Sequence, residues 1–213
     1  MSEKSGIVFV IAGAVLILSA LSLFFYNQNE DAQAGREAGH LLSDVQAVIK
    51  EKETQTPVIP EETPAPELPV TEIEGYEYVG FLSVPDLELE LPVMAEWDYA
   101  RLKIAPCRQF GSSRTDDLVI AAHNYKNHFG RLSELESGDT IMFTDMDGIE
   151  NLYEVAFIDT LAPTEVETVQ NSDYDLVLYT CTYGGRTRVA VFCSRSADSV
   201  PSAPDLEEGA VLE

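Results

Sequence analysis

The sequence predicts an all-β barrel or sandwich carried on an N-terminal membrane-spanning helix, and three observations predict it. Between residues 75 and 196 the apolar residues recur as seven or eight short β-branched and aromatic runs, separated by turn residues and with scant helical period. Residues 6–26 form an unbroken apolar and small-residue run, and about 20 such residues are what a helix needs to cross a bilayer. Between the two, residues 53–74 carry Pro57, Pro60, Pro64, Pro66 and Pro69 among glutamates, the composition of an extended, self-repelling spacer.

Taken in order, residues 1–5 hold Lys4 and the α-amine, whereas Asn27–Asp31 (NQNED) beyond the apolar run has no basic residue. That asymmetry places residues 1–5 in the cytoplasm and everything after the span outside the cell, in a single-pass arrangement. A cleaved signal peptide is the rival, with Ala32-Gln33-Ala34 before Gly35 as a small-residue site. The apolar run is longer than a signal core of about 7–15 residues, and the site lies well past its end, so an uncleaved anchor is favoured. In residues 27–52, Ala34, Ala38, Leu41, Leu42, Val45, Val48 and Ile49 recur at helical spacing, which predicts a stalk helix with one apolar stripe. Such a stripe could pair with a second copy or with a substrate's own stalk, and His40 beside it reads as a partly exposed helical histidine. The prolines that follow would hold the folded part away from the membrane.

The folded part, residues 75–196, opens with the run 78–84 and the alternating Leu87-Glu-Leu-Glu-Leu91, a first strand pair with an acidic outer face. Residues 97–103 suit a short helix. The run Leu118-Val-Ile-Ala-Ala122 is a strand that ends at His123 and a polar loop, Asn124-Tyr-Lys-Asn-His128-Phe-Gly130. After the strand 140–143, Asp145-Met-Asp-Gly148 suits a tight turn before the strand 152–161. Asp145, Asp147 and Glu150 are hard-oxygen donors that could suggest calcium, but a solvated hairpin turn explains them better, and no metal or other cofactor is expected. Residues 197–213 read as an acidic disordered tail.

With 13 basic and 37 acidic residues the chain lacks any basic stripe for phosphates, which excludes a nucleic-acid-binding role. So acidic a surface is also repelled by anionic lipid headgroups and polyanionic walls, so substrate recognition must be local.

The chemistry gathers in DLVLYTCTYGGRTRVAVFCSR, residues 175–195. It reads as a strand ending at a thiol, a Gly184-Gly185 turn, and a returning strand. Counting outward from a two-residue turn sets Tyr183 against Arg186, Thr182 against Thr187, and Cys181 against Arg188. Opposite residues share a face with Cβ atoms about 5 Å apart, so Arg188 can reach an anion forming near the Cys181 sulfur. Leu176, Leu178, Val189, Val191 and Cys193 fall on the other, core-facing side. The nucleophile needs a base or acid from elsewhere. Of three histidines, His123 ends a strand of its own and is the candidate; His128 reads as a loop residue.

These residues resemble the sortases, membrane-anchored cysteine transpeptidases of Gram-positive bacteria. The family's T-L-x-T-C signature falls on Val177-Leu178-Tyr179-Thr180-Cys181 with valine at the first position, and its arginine on Arg188. Its histidine motif, often G-H-N in class B-like members, falls on Ala122-His123-Asn124, and Phe129-Gly130-Arg131-Leu132 matches the segment that commonly follows. The resemblance covers roughly residues 75–195 and leans, through the stretch around Cys181, to class B. It implies a closed eight-stranded barrel with the histidine and cysteine strands adjacent and parallel. It further implies that Cys181, His123 and Arg188 cut a C-terminal LPxTG-like sorting signal and transfer the protein to an amine in peptidoglycan or on a pilin lysine. Thr180 and Asn124, beside the reacting groups, are then expected substrate contacts. A membrane-tethered cysteine protease and a non-catalytic surface interaction domain are the other readings. Cys107 and Cys193 could pair outside the cell, and both are expected at the end of the barrel opposite the catalytic residues.

Overall fold

The computed structural model describes residues 3–55 and 65–196. The spacer prolines Pro57, Pro60 and Pro64 and the acidic tail lie outside the described residues. The chain opens with one continuous helix, α1 (Glu3–Gln55), which runs from the apolar segment straight through the stalk. At 1.5 Å per residue it is roughly 80 Å long. An 18-residue window of α1 reaches a mean hydropathy of 2.8, and the large apolar side chains from Ile7 to Tyr26 are exposed.

Beyond that segment the apolar stripe is covered by the chain's own folded part. Ala34, Ala38, Leu41, Val45 and Ile49 are buried, and Leu41, Val45 and Ile49 pack with Tyr78, Met94, Leu102 and Met146. This corrects the expectation that a second copy or a substrate stalk covers the stripe. It also corrects the picture of a folded part held off at the end of a spacer, because the spacer starts only after the stalk has docked. His40 is exposed and its Nδ1 sits 3.6 Å from Asp44.

Nine strands follow: β1 (Thr71–Ile73), β2 (Tyr76–Val84), β3 (Leu89–Met94), β4 (Cys107–Phe110), β5 (Leu118–Ala122), β6 (Thr140–Asp145), β7 (Glu150–Leu161), β8 (Leu176–Cys181) and β9 (Arg188–Arg195). Neighbours run β2-β3-β4-β5-β8-β9-β7-β6, and β6 pairs back onto β2, so eight strands close a barrel; β1 only extends one edge of β2. Closure leaves none of the eight with a bare edge. The expected helix at residues 97–103 shortens to a single 3-10 turn, Arg101–Lys103, capped by Asp98 Oδ1 on the N–H groups of Ala100 and Arg101 at 2.7 and 2.8 Å. A short helix, α2 (Val166–Gln170), interrupts the connection from β7 to β8.

Strand alternation fills the barrel. Leu118, Ile120 and Ala122 of β5, Leu176 and Leu178 of β8, and Val191 and Cys193 of β9 point into one core with Leu82, Phe143 and Tyr153. The other face of β5 is buried too, Val119 in a cluster with Val177 and Phe192, and Ala121 in the helix-side cluster with Cys107. Burial on both faces explains why β5 reads as a continuous apolar run.

Two carboxylate and thiol expectations need correction. Asp145 is fully buried, not solvated: its Oδ2 accepts from Arg114 Nη2 at 2.7 Å and Nε at 3.1 Å, and its Oδ1 accepts from the Asp147 and Ile149 N–H groups. Arg114 reaches on to Asp147 at 2.8 Å and to the Ala65 carbonyl at 3.2 Å, tying the start of the folded part to the β6–β7 turn. Removing one partner strands a buried charge, so Arg114→Ala is expected to destabilise the fold by about 3–5 kcal/mol, lowering Tm by roughly 10 °C in a thermal melt. A shift under about 2 °C would mean that solvent reaches Asp145.

Cys107 and Cys193 are both free and buried, and burial pushes each thiol up to about 12. They cannot meet, because Cys193 faces the barrel interior while Cys107 lies outside it under α1. Nor do both lie at the far end. Strand β4 runs antiparallel to β5 and pairs Cys107 with Ala121, which sets Cys107 near the His123 end.

Candidate active site

Three elements bring the candidate side chains together. Strands β5 and β8 are parallel neighbours, paired from Leu118↔Leu176 to Ala122↔Thr180, so His123 and Cys181 are the next residues on two adjacent strands. Strand β9 returns antiparallel to β8 with Arg188 directly opposite Cys181. The register is the one counted from the sequence, although the turn is wider. Gly185 N donates to the Thr182 carbonyl at 2.8 Å and Thr182 N to the Thr187 carbonyl at 3.0 Å, so residues 183–186 form the loop. Gly184 and Gly185 take φ of +85° and +71°, a region that favours glycine.

Cys181 is partly exposed on the outer face, two residues from Tyr179. The Tyr179 hydroxyl donates to Gln109 Oε1, tying β8 to β4, and burial pushes it up to about 12, so it stays protonated. Arg188 is half-buried, and its Nη1 donates to the Gly185 and Thr187 carbonyls at 3.1 and 3.0 Å. Nε and Nη2 have no partner among the described residues.

His123 is half-buried, and its Nε2 has no hydrogen-bond partner among the described residues. Burial first, then Lys103, holds its imidazole below the usual histidine range, against an opposing pull from Glu30. The ring stacks at a tilt on Tyr125, centroids 5.0 Å apart, and Tyr125 in turn lies 5.5 Å from His128. The loop closes on itself: Phe129 N donates to the His123 carbonyl at 3.2 Å and Gly130 N to the Tyr125 carbonyl at 2.9 Å. A Cβ on Gly130 would stand 2.6 Å from the Asn124 carbonyl, so only glycine lets the loop shut.

Asn124, the next residue after His123, is partly exposed. Thr180 is placed otherwise. It is buried, and its hydroxyl donates to the Ala122 carbonyl at 2.9 Å, pinning the two parallel strands just below His123 and Cys181. Strand alternation carries the signal for this, since Thr180 has the parity of Leu176 and Leu178. Sequence reasoning missed Tyr125, Lys103 and the Tyr179–Gln109 bridge, of which only Tyr179, sharing the parity of Cys181, was readable.

His128 is fully buried, and neither ring nitrogen has a hydrogen-bond partner among the described residues. Burial lowers it to about 4; the Ala34 backbone, close but outside good hydrogen-bond geometry, opposes this in part. The unfolded chain therefore binds a proton that the folded one refuses between about pH 6.5 and 4. Stability present above that window is lost as pH falls through it, by about 3 kcal/mol. Thermal melts across this range are expected to show a smaller fall for His128→Phe than for the parent, and parallel curves would remove His128 from the account.

A cleft of about 460 Å³, lined by residues 95–97 and 108–111 with Glu96 and Arg108 as its charged side chains, is joined to Tyr179 through Gln109.

Residues 82–196 match the sortase-domain family model, which is more than half of the chain. The chain belongs to the sortase family. It is thus a transpeptidase of that family, and its eight-stranded barrel is the sortase barrel. Sortase C1 of Streptococcus agalactiae is 25% identical, with a TM-score of 0.51 over 62% of this chain and 72% of that one. Sortase D5 transpeptidase of Clostridium perfringens is 17% identical, with a TM-score of 0.55 over 76% and 99%. Sortase C of Clostridium perfringens with the C-terminal cell wall sorting motif is 20% identical, with a TM-score of 0.50 over 74% and 90%. These sortases carry C and D designations. No curated protein matches the chain.

Proposed function

We propose that this sortase cuts a C-terminal, LPxTG-like sorting signal through a Cys181 thioester and passes the protein to an amine. The observation that supports it most is the placement of Cys181 opposite Arg188 and beside the strand that ends at His123. The Cys181 thiolate adds to the scissile carbonyl, and Arg188 with backbone N–H groups stabilises the oxyanion. His123 takes up the Cys181 proton as the thiolate forms and, as the C–N bond breaks, gives it to the departing amine. A thioester remains. The acceptor amine then adds, yields a proton to His123 and expels the thiolate, so the C–S bond is exchanged for an amide. Thioesters favour amines over water, which suits joining chains instead of cutting them. Asn124 contacts the bound signal, and Thr180 acts beneath the site by fixing strand spacing.

The acceptor is a peptidoglycan amine or a pilin lysine. Residues 6–26 of α1 anchor the enzyme in the cell membrane as a single pass with residues 75–196 outside, a reading supported by the exposed apolar segment and by Lys4 preceding it. Intact-mass analysis of the full chain with a panel of LPxTG-like peptides tests the function. The expected result is a mass gain equal to the N-terminal half of one peptide, discharged by added amine. Release of free acid alone in the presence of amine would instead make it a protease.

A further inference from the structure

The loop that carries His123 begins where β5 stops, so no ladder fixes it, and α1 lies across it. Asp31 meets Asn127 twice: the Asn127 N–H donates to Asp31 Oδ1 at 3.1 Å, and Asn127 Nδ2 donates to the Asp31 carbonyl at 3.2 Å. One turn further along α1, Gly35 faces the same residue, and a Cβ there would stand 2.9 Å from Asn127 Cβ. Ala34 and Ala38 on this face are buried, so the helix approaches through its smallest side chains. Beneath the contact lies His128, and its ring leads through Tyr125 to His123 in two steps of ring contact. At its other end the stalk is held by Lys52 Nζ donating to the Met146 carbonyl at 3.0 Å.

We propose that the Asp31–Gly35 turn of α1 is a positioning clasp for the His123 loop, so that the enzyme is competent only with its stalk seated. Two donors of Asn127 are engaged by one helical residue, and the seat requires a residue without a side chain at position 35. Tyr125 and His128 have no strand neighbour to hold them, and their rings pass the seating of the helix to the imidazole. Among the described residues the hydrogen bonds of Asp31 go to Asn127 and not to Cys181, His123 or Arg188, so the clasp acts on how well His123 is aimed.

The test rests on the reading of His123 as the acid of the reaction, and uses the full chain in phospholipid nanodiscs. Gly35→Val should lower kcat for peptide transfer about tenfold or more while KM stays within twofold, because misaimed acid is felt in the transition state and not in peptide binding. Asp31→Ala should lose several-fold in kcat, and Asp31→Asn, which keeps the acceptor oxygen, should recover most of it. Unchanged kcat in both Gly35→Val and Asp31→Ala overturns the clasp, as does a loss carried by KM.

Alkylation of Cys181 by iodoacetamide needs no substrate and separates this failure from failure of the transpeptidase reading. In the parent the pH profile should carry an inflection from the neighbouring imidazole, which Lys103 and Glu30 also face. Loosening the loop relieves burial, the main influence, and should move that inflection upward in Gly35→Val. Coincident profiles overturn the clasp even if no peptide reacts. Should Gly35→Val fail to fold, Asp31→Ala decides by the same two readouts.

Discussion

Replacing Cys181 by alanine should abolish the acyl-enzyme and lower transfer by at least about 10³-fold, the largest effect of any single substitution in the chain. Nothing else on the outer face of β8 can replace the nucleophile: the nearest side chains of the same parity are Tyr179, whose hydroxyl is held by Gln109, and Val177. The loss should be chemical and not structural, since Cys181 ends its strand partly exposed and shortening it costs at most about 0.5 kcal/mol. Equal melting temperatures with no mass adduct would meet this expectation. An adduct in Cys181→Ala would move the chemistry elsewhere, although Cys107 and Cys193 are both buried and held protonated by burial.

Arg188→Ala should be the second largest, about 10²–10³-fold in kcat/KM, because Arg188 stands directly opposite Cys181 and, on the proposed mechanism, stabilises the oxyanion. Arg188→Lys should recover part of it, to within about tenfold of the parent, since a point charge lacks the planar fork. Arg188 also binds the Gly185 and Thr187 carbonyls, so some loss could come from a loosened turn. Arg186→Ala separates the two: Arg186 is exposed in the same turn and should cost less than twofold. If Arg186→Ala costs more than Arg188→Ala in steady-state kinetics, the arginine assignment is wrong.

What the sequence disclosed about this site came from strand parity. Alternation separated Leu176 and Leu178 from Cys181, and counting from the glycine turn put Arg188 opposite the thiol even though the real loop is two residues wider. The same parity also marked Thr180 as inward, and its nearness to the nucleophile in sequence hid that. The adjacency of β5 and β8 was not countable, because a parallel pair is joined by a long crossover whose length sets no register; it rested on family resemblance. Partners far along the chain were harder still. The helical stripe of Ala34 to Ile49 declared that something must cover it without declaring what. Asp145 looked like one of several solvated turn carboxylates because Arg114, which buries it, lies 31 positions earlier. Cys107 was misplaced because the sheet turns back between β4 and β5, so within β4 Cys107, farther from His123 in sequence than Phe110, pairs nearer to it on β5.

The unbroken α1 bears on how this enzyme meets its partners. A transpeptidase on a leash samples a hemisphere around its anchor, and its reach grows with the length of the tether. Here α1 is continuous from Glu3 to Gln55, and its stalk part grips the barrel by the loop that bears His123, with Asp31 only five positions beyond Tyr26. On the proposed reading, with residues 6–26 in a bilayer and Cys181 as the nucleophile, the thiol neither swings outward nor sinks. It then travels at one height, in a thin layer parallel to the lipid surface, and the search for a partner becomes lateral diffusion in two dimensions.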